Sequence, residues 1–147
     1  MKFQNLKYCN LSPTGFDYIK LGESIDKTPI KHISENNLKT VQYDNYTGYI
    51  IDDCIKIWVN KSSLKIEIIS ILKGFEGTFD NFIKLGDNTE LIYKKYTPHM
   101  TDDDEILINS PFYSILFTLD EDISLMQNQN QINKTHIIQI SISINEK

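Results

Sequence analysis

The chain has 147 residues, enough for one domain with its own core and too few for two large independent domains. Its net charge of −5 argues against direct binding to a nucleic-acid backbone, which requires a concentrated basic face. The chain contains no Ala and no Arg and is rich in Ile, a composition that favours strands over helices. Two cysteines, Cys9 and Cys54, are too few for a disulfide framework.

The N-terminal segment carries positive charge but no apolar run that could serve as the core of a signal peptide. The longest apolar stretch, residues 66–72, is interrupted by Glu67 and Ser70 and is far shorter than a membrane span. We therefore expect a cytoplasmic protein with reduced thiols and no membrane partner.

A tetrapeptide, Ile-Lys-Leu-Gly, ends at Gly22 and recurs ending at Gly86, each copy following a Phe-Asp pair. In the first half, residues 16–21 are predicted to form a strand that Gly22 stops. A short helix follows, capped by Ser24 or Thr28, with Pro29 in its first turn. The turn residues that come next predict an antiparallel meander whose strands are residues 41–43, 49–51, 54–60 and 64–72.

The second half repeats this order, with a strand at residues 79–85 and a helix at residues 89–96. Its other predicted strands are residues 105–108, 112–119, 123–127 and 136–144. In the last strand, Ile138, Ile140, Ile142 and Ile144 alternate with polar residues, so they are expected on one face. The Gln- and Asn-rich residues 127–131 are expected to form a loop.

Together these patterns predict an α+β fold in a single domain spanning residues 1–147. It would contain two pseudo-repeats of strand, helix and antiparallel meander, at about residues 14–73 and 77–147. The strands would form one twisted antiparallel sheet, backed by the short helices.

No residue pattern in the chain predicts catalysis or metal binding. Cys54 lies in a predicted strand without the glycine-bounded turn that presents a nucleophile, and the three histidines lack metal-ligand spacing. Gly22 and Gly86 each stand alone, without a glycine-rich phosphate loop. We therefore expect a protein that is not an enzyme and has no catalytic residues, no metal site and no cofactor.

Acidic residues concentrate at three predicted turns: Asp52-Asp53, Asp102-Asp103-Asp104-Glu105 and Asp120-Glu121-Asp122. Such runs commonly keep loops soluble. Alternatively, they form an acidic surface that docks into the basic cleft of a nuclease, where complementary fields speed association.

Aromatic residues give a second indication of a binding surface. Trp58 lies on the polar side of its predicted strand, and Tyr43, Tyr46 and Tyr49 flank one turn. Aromatic side chains on a polar sheet face are often interface anchors, although they can equally belong to the core. The predicted partner-binding residues are Asp52, Asp53, Trp58, Tyr46, Tyr49, Asp102, Asp103, Asp104 and Glu105.

Two resemblances follow from short motifs. The segments Leu21-Gly22-Glu23-Ser24 and Leu85-Gly86-Asp87-Asn88 resemble the tandem repeat of the β-lactamase inhibitor protein and of small outer-membrane assembly lipoproteins. The segments Phe75-Glu76-Gly77-Thr78-Phe79 and Ile115-Leu116-Phe117-Thr118-Leu119 resemble bacterial immunity proteins of polymorphic-toxin and contact-dependent inhibition systems. The second resemblance implies a small acidic protein that binds a cognate toxin domain and occludes its active site.

The leading hypothesis is therefore a stoichiometric inhibitor that binds a basic toxin domain, such as a nuclease. An envelope scaffold with the same repeat is an alternative, and it predicts a signal sequence upstream. A small hydrolase or ligand-binding domain is a third hypothesis, and it predicts a deep pocket holding His99 or His136 with a carboxylate.

Overall fold

The computed structural model describes residues 5–145, and within them every side chain except that of Met100. The fold is mostly β, with 42% strand and 15% helix, so the predicted α+β sheet backed by helices is wrong. The two α-helices are short, α1 (Glu90–Lys95) and α2 (Gln129–Asn133). The chain lacks Ala, the strongest helix former, and is rich in Ile and Asn, which favour helices less, and helices of five or six residues depend on packing for their stability.

Three 3₁₀ segments occupy Leu6–Tyr8, Ile25–Lys27 and Pro29–His32. The strands are β1 (Asn10–Leu11), β2 (Gly15–Phe16), β3 (Ile19–Lys20), β4 (Leu38–Gln42), β5 (Tyr46–Ile51), β6 (Ile55–Asn60), β7 (Ile66–Ile71), β8 (Thr78–Phe79), β9 (Met100–Asp102), β10 (Glu105–Asn109), β11 (Tyr113–Leu119) and β12 (Ile137–Ile144). β1 pairs with β8, and β2 pairs with β3, in two small sheets. In the described part of the chain, no helix is long and apolar enough to cross a membrane.

The main sheet has the strand order β4-β5-β6-β7-β12-β11-β10-β9, and every neighbouring pair in it is antiparallel. Each half of the chain supplies four consecutive strands, and the last strands of the two halves, β7 and β12, pair at the centre. This order relates the halves by an approximate two-fold axis between β7 and β12. A β-bulge occurs in both central strands, at Glu67 and at Ile138, which are 71 residues apart.

The segments around the two tetrapeptides form tight turns instead of the continuous strands predicted at residues 16–21 and 79–85. β2 and β3 are joined through Asp17 and Tyr18. In the second half Asp80 and Asn81 have φ of 50° and 66°, which Asp and Asn adopt more readily than other side chains. The chain therefore reverses where the apolar pattern alone predicted a continuous strand.

Three further segments also differ from the sequence-based expectation. The first predicted helix is two 3₁₀ turns, the first capped by the Ser24 hydroxyl, which accepts a hydrogen bond from the Asp26 N–H. The predicted loop at residues 127–131 contains the start of α2, where the Asn128 side chain accepts from the Gln131 N–H at 3.0 Å. The predicted strand at residues 123–127 is irregular.

One face of the main sheet forms the core. In β6, Ile55, Ile57 and Val59 are buried, while Lys56 and Trp58 on the alternate face are only partly covered. The other side of the core comes from the N-terminal turns, the 3₁₀ segments and α1, through side chains that include Phe16, Ile30, Phe79 and Ile92. The alternate face of the sheet is left with polar and half-buried side chains.

Candidate interaction surface

The face of the sheet turned away from the core is here called the open face. Cross-strand pairing places along its middle Ile50, Lys56, Ser70, Ser141, Leu116 and Leu107. The next row towards the β4–β5 turn contains Val41, Gly48, Trp58, Ile68, Ser143 and Ser114. At its centre the hydroxyls of Ser70 and Ser141 are hydrogen bonded at 2.7 Å, which joins the two halves.

Trp58 lies on the open face opposite Gly48, and the missing side chain at Gly48 makes room for the indole ring. A Cβ at Gly48 would lie 2.8 Å from Trp58 Cζ3 and 2.8 Å from Val41 Cγ2. The Tyr43 ring packs against the indole, with ring centroids 5.2 Å apart and the planes tilted by 54°. Tyr43 remains 58% exposed, so the pair forms an aromatic corner that solvent still reaches.

The other two predicted tyrosines do not both join this corner. Tyr46 shares the open face, pairs with Asn60 and donates a hydrogen bond from its hydroxyl to Glu67 Oε1 at 2.9 Å. Tyr49 pairs with Ile57 and therefore lies on the opposite face, packed against the core. The structure thus separates Tyr49 from Trp58 and Tyr46.

Asp52 and Asp53 form the β5–β6 turn, where their φ angles are 52° and 58°. Two successive positive φ values are typical of the tight hairpin turns that match strand twist. Asp53 is bridged to Lys39 Nζ at 2.9 Å, and both side chains are largely exposed. Its charge is therefore partly compensated, and an exposed pair of this kind contributes little to stability.

The predicted acidic residues 102–105 form the β9–β10 turn, which meets a second acidic run, residues 120–122. Two backbone hydrogen bonds join the runs, from Leu119 N–H to Asp104 O at 2.7 Å and from Ile123 N–H to Asp103 O at 2.6 Å. The negative charges of Asp102 and Asp122 raise the pKa of Asp103 above its ordinary value. We call the seven acidic residues of 102–105 and 120–122 the acidic cluster.

Two residues of the acidic cluster have compensating hydrogen bonds. Partial burial acts to raise the pKa of Asp120, but hydrogen bonds from the His136 N–H and imidazole outweigh it and hold the pKa below the ordinary value. The Ser124 hydroxyl and N–H lower the pKa of Asp122 in the same way. The hydrogen bonds therefore favour the charged form of these two carboxylates, whereas the negative charges of its neighbours disfavour the charged form of Asp103.

The Asp52–Asp53 turn and the acidic cluster lie at the same end of the sheet, because Ile55 aligns through Ile71, Ile140 and Phe117 with Ile106. Four strand spacings separate β6 from β10, or roughly 20 Å. The two sequence-predicted acidic sites therefore do not merge, but they flank one end of the open face.

The surroundings of both cysteines disfavour the thiolate, and His136 pairs with a carboxylate. Burial raises the pKa of the Cys54 thiol, and burial with the negative charge of Asp17 raises that of Cys9. His136 is engaged with Asp120 at 3.1 Å on an exposed turn. In that part of the chain, no group of three or more His, Cys, Asp or Glu residues could hold a metal ion.

Between the two acidic sites the structure places a cleft of about 690 Å³, which the sequence patterns did not indicate. We call it the Gly86 cleft. Its lining includes Phe75, Leu85, Ile137 and Gln139, with Lys56 and Lys73 as its two cations. These residues are far apart in sequence and meet only because β7 and β12 pair, so no local signal marks them.

Comparison with known protein families, curated proteins and solved structures found no match to this chain.

Proposed function

We propose that this protein is a stoichiometric inhibitor, an immunity protein that binds a cognate bacterial toxin domain in the cytoplasm and occludes its active site. It would act by binding alone, without catalysis or a cofactor. The observation that carries the proposal is the open face itself, with the Trp58–Tyr43 corner at one end and acidic residues at the other.

The size of the open face suits a protein partner. Eight strands about 4.8 Å apart span roughly 34 Å, and strands of five or six residues give a height of roughly 18 Å. The resulting area of roughly 600 Å² is comparable with the 800 Å² or so that each partner contributes to a standard interface. Aromatic anchors surrounded by polar residues are common in such interfaces.

The charge pattern favours a partner with a basic cleft. The acidic cluster combines carboxylates from two turns in one place, and hydrogen bonds keep Asp120 and Asp122 ionised. A concentration of negative charge speeds encounter with a basic partner and suits the phosphate-binding cleft of a nuclease.

Co-expression with the product of the adjacent reading frame tests the proposal. We expect the two proteins to co-purify as a complex and the chain to abolish the toxicity of its neighbour. Absence of binding, or a neighbouring product whose activity is unaffected by saturating amounts of this chain, would refute the proposed function.

The aromatic corner and the acidic cluster are tested by separate variants, and the first variant removes the indole ring. Trp58→Ala is expected to weaken binding by at least about 30-fold, since buried aromatic anchors commonly contribute 2 kcal/mol or more. Its matched control is Phe112→Ala, which removes an aromatic side chain that is 77% exposed in the β10–β11 turn. Equal effects of the two variants would exclude the aromatic corner as a contact.

The triple variant Asp102→Asn, Asp103→Asn, Asp104→Asn is expected to slow association about ten-fold at low salt and to weaken its salt dependence. The control with the same charge change is Asp17→Asn, Asp26→Asn, Glu35→Gln, at exposed positions outside the sheet. If both triple variants slow association equally, net charge and not the acidic cluster steers the partner.

A further inference from the structure

The two tetrapeptide glycines occupy equivalent places in the two halves. The Gly22 N–H donates to Ile66 O at 2.8 Å, and the Gly86 N–H donates to Ile137 O at 2.7 Å. The return hydrogen bonds, from Ile66 N–H to Glu23 O and from Ile137 N–H to Asp87 O, are both 2.9 Å. The φ angles of Gly22 and Gly86, +84° and +97°, are also alike. Each glycine is therefore docked in the same way on the last strand of its half.

What lies over the two glycines differs. A Cβ at Gly22 would be 3.3 Å from Ile144 Cδ1, whereas a Cβ at Gly86 would meet nothing within 4 Å. Ile66 and Ile137 are 71 residues apart, and the same spacing makes Lys73 the counterpart of Ile144. Gly22 of the first half is thus covered by an isoleucine from the second half, whereas the corresponding residue for Gly86 is Lys73 of the first half, which is exposed.

The lining of the Gly86 cleft indicates what would complete it. Its apolar part is Leu72, Phe75, Leu85 and Ile137, with Ile138 also exposed on its border. Asp53 at its edge is already bridged to Lys39. Among the described residues, Lys56 and Lys73 make no salt bridge. The cleft therefore combines an apolar floor with two uncompensated cations.

We infer that the Gly86 cleft receives, from the partner protein, an aliphatic side chain next to a carboxylate. The aliphatic group takes over Gly86 the place that Ile144 takes over Gly22, and the carboxylate meets Lys56 and Lys73. The inference rests on the proposed function in so far as the bound protein is the proposed toxin. In this contact the cleft supplies the positive charge and the partner the negative one, the reverse of the contact that the acidic cluster makes.

The test is a titration of the ¹⁵N-labelled chain followed by amide chemical shifts, since Gly74 and Gly86 line the cleft and Gly22 is an internal control. The probe is acetyl-Ile-Asp-amide, and the control probe is acetyl-Ile-Lys-amide. We expect saturable shifts at Gly74 and Gly86 but not at Gly22, with at least ten-fold weaker binding of the lysine peptide. Equal shifts at Gly22 and Gly86, or no shift at either, would overturn the inference.

Two variants test whether the amide shifts arise from peptide bound in the Gly86 cleft. Lys73→Ile supplies the missing aliphatic side chain from the protein itself and is expected to abolish the Gly86 response while raising the melting temperature. Lys73→Gln removes only the charge and is expected to weaken binding a few-fold. Unchanged peptide binding in Lys73→Ile would refute the assignment. Tighter binding of free 4-methylpentanoate than of the peptide would replace it with a small-molecule site.

The same measurements separate the inference from the proposed function. Peptide binding to the isolated chain without co-purification of the neighbouring product would contradict only the toxin proposal. Co-purification that is unaffected by Lys73→Ile, together with no peptide binding, would contradict only the role of the cleft.

Discussion

Replacing Gly48 by Ala tests whether the aromatic corner is built around the missing side chain. Gly48 lies in β5 with an ordinary backbone conformation, so alanine brings no backbone strain. Its added methyl group would lie 2.8 Å from both the Trp58 ring and a Val41 methyl, well inside van der Waals contact. The substitution therefore acts on the packing of the open face.

Two opposing effects set the size of the change. Overpacking a well-packed position costs about 1–3 kcal/mol of stability. Replacing glycine inside a strand by alanine stabilises the fold by about 0.5–1 kcal/mol, because the unfolded chain has less conformational entropy to lose. We expect a net loss of about 0.5–2 kcal/mol in the free energy of unfolding. In a Trp58→Ala background the ring is absent, and the cost should fall by about 1 kcal/mol because only Val41 remains in the way.

Urea unfolding followed by circular dichroism measures both effects without relying on the indole. Since Trp58 is the single tryptophan, its fluorescence separately reports whether the ring has moved towards water, as a shift of the emission to longer wavelength. Equal costs of Gly48→Ala in the unsubstituted chain and in the Trp58→Ala background would show that the ring does not pack on Gly48. That result would refute the packing of the aromatic corner around Gly48.

Three other substitutions have expected outcomes. Thr135→Val should lower the free energy of unfolding, measured in urea, by about 1–3 kcal/mol, because the fully buried Thr89 hydroxyl loses its acceptor and Ile132 O loses a donor. Thr89→Val should lower it by only about 0.5–1.5 kcal/mol. Asp103→Asn should raise the melting temperature at pH 7 and low salt. The pKa of Asp103 is raised in the folded state, so the repulsion exists at neutral pH and the gain should vanish as the pH falls through that pKa. Asp120→Asn should lower the melting temperature at pH 7, and this loss should disappear as the pH falls through the lowered pKa of Asp120, because protonation removes the stabilisation of the folded state. Opposite signs in these melting curves would contradict the assigned interactions.

The strands of the sheet could be predicted where local alternation and tertiary burial agree. In β6 the prediction that Trp58 lies on the polar side of the strand is confirmed, since Ile55, Ile57 and Val59 alternate with it and are buried. In β12 the same reasoning misplaced Ile138, which is 45% exposed, while Ile137 is fully buried. The β-bulge opposite Thr118 and Leu119 shifts the register by one residue there. A bulge depends on the partner strand, so the pattern of one strand cannot reveal it.

The parts of the site that depend on distant pairing were beyond local patterns. Acidic residues 102–105 could be singled out, but their union with residues 120–122 depends on the backbone hydrogen bonds that join the two turns. Tyr46 and Tyr49 are three residues apart in β5 and therefore lie on opposite faces, but the predicted strand began at residue 49 and did not include Tyr46. The Gly86 cleft likewise requires β7 beside β12, an alignment between residues about 70 positions apart.

The differences between the two halves bear directly on how a partner would bind. The approximate two-fold axis relates the β4–β5 turn, which carries Tyr43 beside Trp58, to the β9–β10 turn within the acidic cluster. Equivalent, diagonally opposite corners of the open face are therefore aromatic in one half and acidic in the other. A partner that covers the face meets unlike chemistry at these corners, so only one orientation is favourable. We expect a 1:1 complex, and native mass spectrometry of the co-purified proteins would reveal a second bound copy if the face instead acted as two equivalent sites.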